Sequence, residues 1–253
     1  MTKTALLGVL TLLVGAVISA GSPSVVVADD DDRRGKAFKV TVTNITRGVG
    51  ADSGQILNGL VVASHNKHFR LFELGQPASE ELALVAEDAL NRALFDALSE
   101  DRNVCDVQTI GIVDPPTIFP ILPGASASVV ITVKGNCRYL SLAAMLVTTN
   151  DAFAALNGVR LYKRSDKLFA LAYDAGSEAN DEDCDHIPGP PCGDTTGAGD
   201  DGEGYVSIHS GIHGLGGGAV DSDLNPSDRD WRNPVAYITI DRVDDHDHDD
   251  DDD

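Results

Sequence analysis

Phe38, Val40 and Val42 alternate with Lys39, Thr41 and Thr43 in "AFKVTVTNIT", the period of a strand with one buried face. "LNGLVVASH" from Leu57 is a short apolar run ending on a polar tip. "SASVVITVKG" from Ser126, "LSLAAMLVTT" from Leu140, "GVRLYK" from Gly158, "KLFALAY" from Lys167, "GYVSIH" from Gly204 and "VAYITIDRV" from Val235 share that character. Pro123-Gly124, Gly135-Asn136, Asn157-Gly158 and Ser165-Asp166 supply turn signals between them. About eight short strands without strand–helix alternation predict an all-β domain, an antiparallel β-sandwich.

One segment carries a different period. Between Ser79 and Leu98, Leu82, Val85, Ala86, Ala89, Ala93, Leu94 and Ala97 fall on one helical stripe. Ser79 is suited to an N-cap, and Glu80 and Glu81 to the positive end of a helix dipole. The stretch predicts one helix, or two short ones broken between Asp88 and Asn91, packed on an edge or open end of the sandwich as scaffold.

The ends differ from the body. Residues 1–28 combine Lys3 with an apolar run from Ala5 to Ala20 and small residues at Ala20, Val26 and Ala28, the pattern of a secretory signal peptide. The run is too short and too interrupted to read as a membrane anchor. Residues 29–36 form an acidic segment, residues 37–243 the folded domain, and residues 244–253 an acidic tail. Like charges packed as in "DDDDRR" and "DDHDHDDDDD" repel and bury nothing, so both ends read as solvated. His246 and His248 in the tail offer weak capture of a transition metal. A formal net charge of -21 disfavours nucleic acid and anionic membranes as partners, and the signal-peptide pattern sets the expected location as extracellular or the cell envelope.

In an oxidising compartment Cys105, Cys137, Cys184 and Cys192 imply two disulfides. The short Pro-Gly loop "DHIPGPP" closes Cys184 with Cys192 at small entropic cost, which leaves Cys105 with Cys137. The spacing lacks the C-x-x-C pair of a common zinc site. Other chemistry finds little support. "IHSGIHG" around Ser210 lacks the first glycine of a nucleophile elbow. His209 and His213 sit in a glycine-rich stretch that cannot be helical, and His65 and His68 follow a strand without an evident partner.

Two acidic turns remain. "YDAGSE" places Asp174 and Glu178 on either side of Gly176 directly after a strand, and "TNDAF" places Asp151 at another strand end. Calcium takes six to eight hard oxygens from carboxylates and loop carbonyls, so three carboxylates from two loops at one end would suit it. An aspartate in a turn is also an ordinary turn residue. No EF-hand order occurs, and "GGGAVDSD" from Gly216 is at most one copy of a calcium-binding nonapeptide repeat.

The series "LNGLVVASHNKHFRLFELGQPAS", "LPGASASVVITV", "LSLAAMLVTTNDAF", "YDAGSEAN", "EGYVSIHSGIHG" and "WRNPVAYITI" resembles, in order, the spondin N-terminal domain of F-spondin and mindin, and most of all its single-domain microbial members. The resemblance spans roughly Phe38 to Val243. It implies a C2-like antiparallel sandwich that binds one Ca2+ ion through the residues matching Asp151, Asp174 and Glu178. The animal domains carry aspartate where Glu178 stands. It further implies a secreted, non-catalytic module for adhesion or for recognition of an extracellular protein or carbohydrate surface. The alternative from the same carboxylates is a secreted metal-dependent hydrolase.

Overall fold

The computed structural model describes residues 35–48, 51–114, 117–161, 165–193, 199–215 and 222–243. The signal peptide, residues 29–34 of the acidic segment, the run from Gly216 to Asp221 and the tail with His246 and His248 lie outside them. Nine strands occur in chain order: β1 (Lys36–Asn44), β2 (Leu57–His65), β3 (Val104–Thr109), β4 (Ser126–Val133), β5 (Tyr139–Leu146), β6 (Ala152–Arg160), β7 (Ser165–Asp174), β8 (Ser207–Ile208) and β9 (Ala236–Arg242). Helices α1 (Glu80–Asp88) and α2 (Arg92–Glu100) connect β2 to β3, and the single turn α3 (Pro226–Arg229) precedes β9.

All strand pairs are antiparallel, in the order β3-β2-β5-β6-β7-β9-β1-β4, with β8 added to β7. The sheet folds over at β7, which pairs with β9 from Ser165 to Ala170 and with β6 from Leu171 to Asp174. The two layers of a sandwich result. Its outer strands approach one another, where the Thr132 amide donates to Asp106 Oδ2 (2.6 Å) and Ser64 Oγ donates to the Thr132 carbonyl (2.7 Å). Side chains thus do at that seam what a backbone ladder does elsewhere, leaving the sheet nearly closed.

Alternation along the strands explains which runs are apolar throughout. Leu60, Val62, Leu140, Leu142, Ala144, Ala152 and Ala154 point between the layers with Val40, Val42, Ile131, Ile238 and Ile240. Their neighbours Val61, Ala63, Ala143, Phe153 and Ala155 point the other way, onto Leu82, Val85, Leu94 and Leu98 of the two helices. Every residue of β2 is therefore buried, as befits a strand covered on both faces. The helices pack on that outer face, not at an edge or open end as the stripe alone predicted. They are separate because Ala89 turns left-handed (φ 58°), and Ser79 Oγ caps the first by accepting from the Leu82 amide (3.3 Å).

Three further differences from expectation have local causes. Asn157-Gly158 is not a turn but an irregularity inside β6, where Gly158 takes φ 67°. Asn157 is occupied there in binding Leu71 N (2.9 Å) and Phe72 O (2.7 Å). The strand β3 went unread because "VCDVQT" mixes polar residues into an edge. The expected strand from Gly204 shrinks to Ser207–Ile208. Both disulfides form as the spacing predicted, Cys105 with Cys137 and Cys184 with Cys192. Among the described residues no helix is long and apolar enough to cross a membrane.

Candidate metal centre

Asp151 sits at the last step before β6, and Asp174 ends β7; Ala152 pairs with Asp174, so adjacent strands deliver both to one end. The turn before Asp151 is fixed from within. Thr149 Oγ donates to Leu146 O (2.6 Å) and accepts from Ala152 N (3.1 Å), while buried Gln55 holds Thr148 by its amide (3.2 Å) and carbonyl (3.4 Å). After β7 the chain curls back through Gly176 at φ 70°, where an added Cβ would lie 2.4 Å from the Tyr205 carbonyl oxygen. Gly176→Ala should therefore cost about 2 kcal/mol, combining left-handed strain with a backbone clash, as a urea titration would show.

The curl aims backbone amides at one carboxylate. Asp151 Oδ2 accepts from the amides of Ser177 (2.8 Å) and Glu178 (3.1 Å) and from Ser177 Oγ (3.3 Å). Its other oxygen, Oδ1, is buried and has no hydrogen-bond partner. Asp174 Oδ1 accepts from Gly176 N (2.8 Å) and its Oδ2 from Asn180 Nδ2 (2.7 Å). Burial, followed by the charge of Asp174, pushes the Asp151 carboxyl up to about 7 against the pull of those amides. Burial raises Asp174 as well. Glu178 is buried at the same end, but its Oε1 takes the Gly199 amide (2.8 Å). Burial lifts it to about 7, with Glu87 and Asp88 adding to the rise.

Behind Asp174 runs a chain of hydrogen bonds with one consistent direction. Gly211 N donates to His209 Nδ1 (3.0 Å), which leaves the ring proton on Nε2 facing Asn180 Oδ1 (2.9 Å). Asn180 then turns its Nδ2 toward Asp174. The ring also lies against Trp231, with centroids 5.0 Å apart. Burial, and next the charge of His213, hold His209 down to about 4. The folded state thus keeps His209 neutral: its stabilisation is fully present above pH 6.5 and declines as pH falls toward 4. Relative to His209→Gln, the wild type should lose stability across that window with a limiting slope of about 1.4 kcal/mol per pH unit, read from paired thermal melts.

With this arrangement in view, the family model described as Spondin_N matches residues 55–179, a stretch that contains Asp151, Asp174 and Glu178. Over that stretch the chain belongs to the spondin N-terminal domain family. No curated protein matches the chain. Strands β1, β8 and β9 of this spondin sandwich fall outside the matched residues, as do Asn180, His209 and Gly211, so the whole hydrogen-bonded chain behind Asp174 comes from beyond the match.

Other polar groups of the spondin domain gather nearby. Asp181, Asp183 and His186 bring ligand atoms within 4.8 Å of one another; His186 Nδ1 meets Asp181 Oδ2 at 2.6 Å, and that bond raises the His186 pKa. This half-buried group went unremarked in the sequence, where "DEDCDH" reads as loop. Ser210 Oγ meets His213 Nε2 (2.9 Å), and His213 Nδ1 meets Glu182 Oε1 (3.1 Å). That order mimics nucleophile, base and orienting acid. Acyl transfer also needs amides free to hold an oxyanion. The four that follow Ser210 all point elsewhere: Gly211 to His209, Ile212 to Asp230, and His213 and Gly214 to Glu182. The trio ties a loop to buried Glu182. His65, for which the sequence offers no evident partner, is buried between Asn66 O (2.8 Å) and Ser141 Oγ (2.9 Å).

Proposed function

We propose that this chain is a secreted, calcium-binding spondin module that serves adhesion or recognition of an extracellular protein or carbohydrate surface without catalysis. The observation that carries the calcium reading is the unpartnered, buried Oδ1 of Asp151 beside the second buried carboxylate of Asp174. An anionic oxygen withheld from both water and donors costs several kcal/mol unless a cation or a proton meets it, and a hard divalent ion suits an all-oxygen set. Asp151 and Asp174 would hold the ion. Glu178 would join by turning its carboxylate from the Gly199 amide, and carbonyls or water would complete the shell. The ion would join the turn before β6 to the curl after β7, giving a rigid end from which loops present a surface.

Family membership, two disulfides and the leader-like first 28 residues support an extracellular setting. Thermal melts of the full chain with calcium and with a chelator test the metal reading: calcium raises the midpoint of the wild type, and Asp174→Asn removes most of the gain. A fully responsive Asp174→Asn would contradict it. Retention on an immobilised matrix protein or polysaccharide, lost on chelation, tests the recognition reading; equal retention in chelator would contradict it.

A further inference from the structure

Asp174 is held by donors on both of its oxygens, but only one of them is local. The Gly176 amide reaches Oδ1 from within the same turn (2.8 Å), whereas Oδ2 depends on the side-chain NH2 of Asn180 (2.7 Å). A primary amide can present either end. Turned over, Asn180 would set its oxygen against a carboxylate oxygen, two acceptors with no proton between them. The buried acid would then lose a donor while still facing the charge of Asp151.

His209 excludes that orientation. The Gly211 amide can only donate, so His209 Nδ1 accepts from it (3.0 Å) and the ring carries its proton on Nε2. A protonated Nε2 meets only an acceptor, so Asn180 offers it Oδ1 (2.9 Å) and keeps the NH2 for Asp174. The backbone is built to hold this order. Strand β8 pairs Ser207 with Asp174 and Ile208 with Tyr173, and the His209 amide then donates to Ala172 O (3.2 Å), so the ring is carried on the flank of Asp174's own strand. Gly211 takes φ 94°, and an added Cβ would strike Asp230 Oδ1, which holds the next amide, Ile212 N (3.1 Å). The segment leading to Asn180 is fixed as well: Glu178 bridges Asp201, and the Ala179 amide donates to Asp200 O (2.9 Å).

We propose that Asn180 and His209 are positioning residues of the calcium site: His209 commits Asn180 to present its NH2, and that NH2 fixes the Asp174 carboxylate for the ion. The inference rests on the calcium reading above. A carboxylate oxygen has lone pairs for a donor and a cation together, so the NH2 stays in place when the site fills. Partners behind a metal ligand orient it before the metal arrives, and their loss costs about 10- to 100-fold in affinity. One backbone amide, at Gly211, thus decides through three hydrogen bonds which end of Asn180 faces the acid.

The test measures calcium affinity by isothermal titration of the full, disulfide-bonded chain and its variants. Asn180→Leu should weaken binding about 10- to 100-fold. His209→Leu should weaken it in the same direction and add nothing in the Asn180→Leu background, because both act through one hydrogen bond to Asp174. His209→Gln, whose NH2 can replace the Nε2 donor, should stay within about twofold of the wild type. Nitrogen-15 spectra of the calcium-free chain, which need no variant to fold, should place the His209 proton on Nε2. A proton on Nδ1 would overturn the proposal, as would additive losses in the double variant. Wild-type affinity in Asn180→Leu would overturn the positioning roles and leave the calcium reading standing, whereas a wild type that binds no calcium would defeat both.

Discussion

Asp151→Asn is expected to abolish calcium stabilisation while leaving the calcium-free protein as stable as the wild type, or more so. The wild-type carboxylate holds two amides and a hydroxyl on Oδ2 and nothing on Oδ1, beside a second buried acid. Asparagine retains an oxygen for the three donors and places a neutral NH2 group where Oδ1 stood, which removes the like-charge repulsion with Asp174. At a calcium concentration a hundredfold above Kd the wild type should gain about 2.7 kcal/mol. For a domain of this size that raises the melting midpoint by about 5 to 10 °C. The variant should gain nothing. A variant both less stable without calcium and still calcium-responsive would mean that Asp151 is a structural acceptor only.

Replacing both Cys105 and Cys137 by serine should cost about 4 kcal/mol, the larger of the two disulfide effects. The bond closes a separation of 32 residues, against 8 for Cys184 and Cys192, and closure entropy in the unfolded chain grows with loop length. It also crosses a vulnerable seam. Cys105 lies in β3 and Cys137 just before β5, close to where β3 and β4 are joined by side chains alone. The midpoint should fall by on the order of 10 °C, and the Thr132 amide should exchange faster with solvent than those within the β1–β4 ladder. Losing Cys184 and Cys192 should cost about 2 to 3 kcal/mol, with exchange at Thr132 unchanged. Equal losses from the two pairs would contradict this account.

The sandwich was legible where one face of a strand meets water, as in the alternation of Phe38, Val40 and Val42. It was less legible under the helices, since two-sided burial of β2 and β5 produces continuous apolar runs whose faces cannot be told apart by period. β3 was missed because an edge strand needs apolar residues on one side only and carries Asp106 to close the seam. The bulge at Gly158 looked like a turn because asparagine and glycine serve both, and only the Phe72 carbonyl and Leu71 amide distinguish the two.

At the site, Asp151, Asp174 and Glu178 were nameable from two short motifs and their resemblance to a family. Strand pairing explains why Asp151 and Asp174 converge; the sequence does not encode that Glu178 accepts from the Gly199 amide. His209 was invisible as a partner because its link to Asp174 passes through Asn180, 29 residues away. Such contacts have no spacing rule, since loops from different strands meet only after the sheet has folded.

Isothermal titration of the full, disulfide-bonded chain with calcium tests the central claim most directly. One saturable site per chain, absent in Asp151→Asn and weakened in Asp174→Asn, is the predicted result. No binding by the wild type, or unchanged binding by the Asp151→Asn variant, would contradict it.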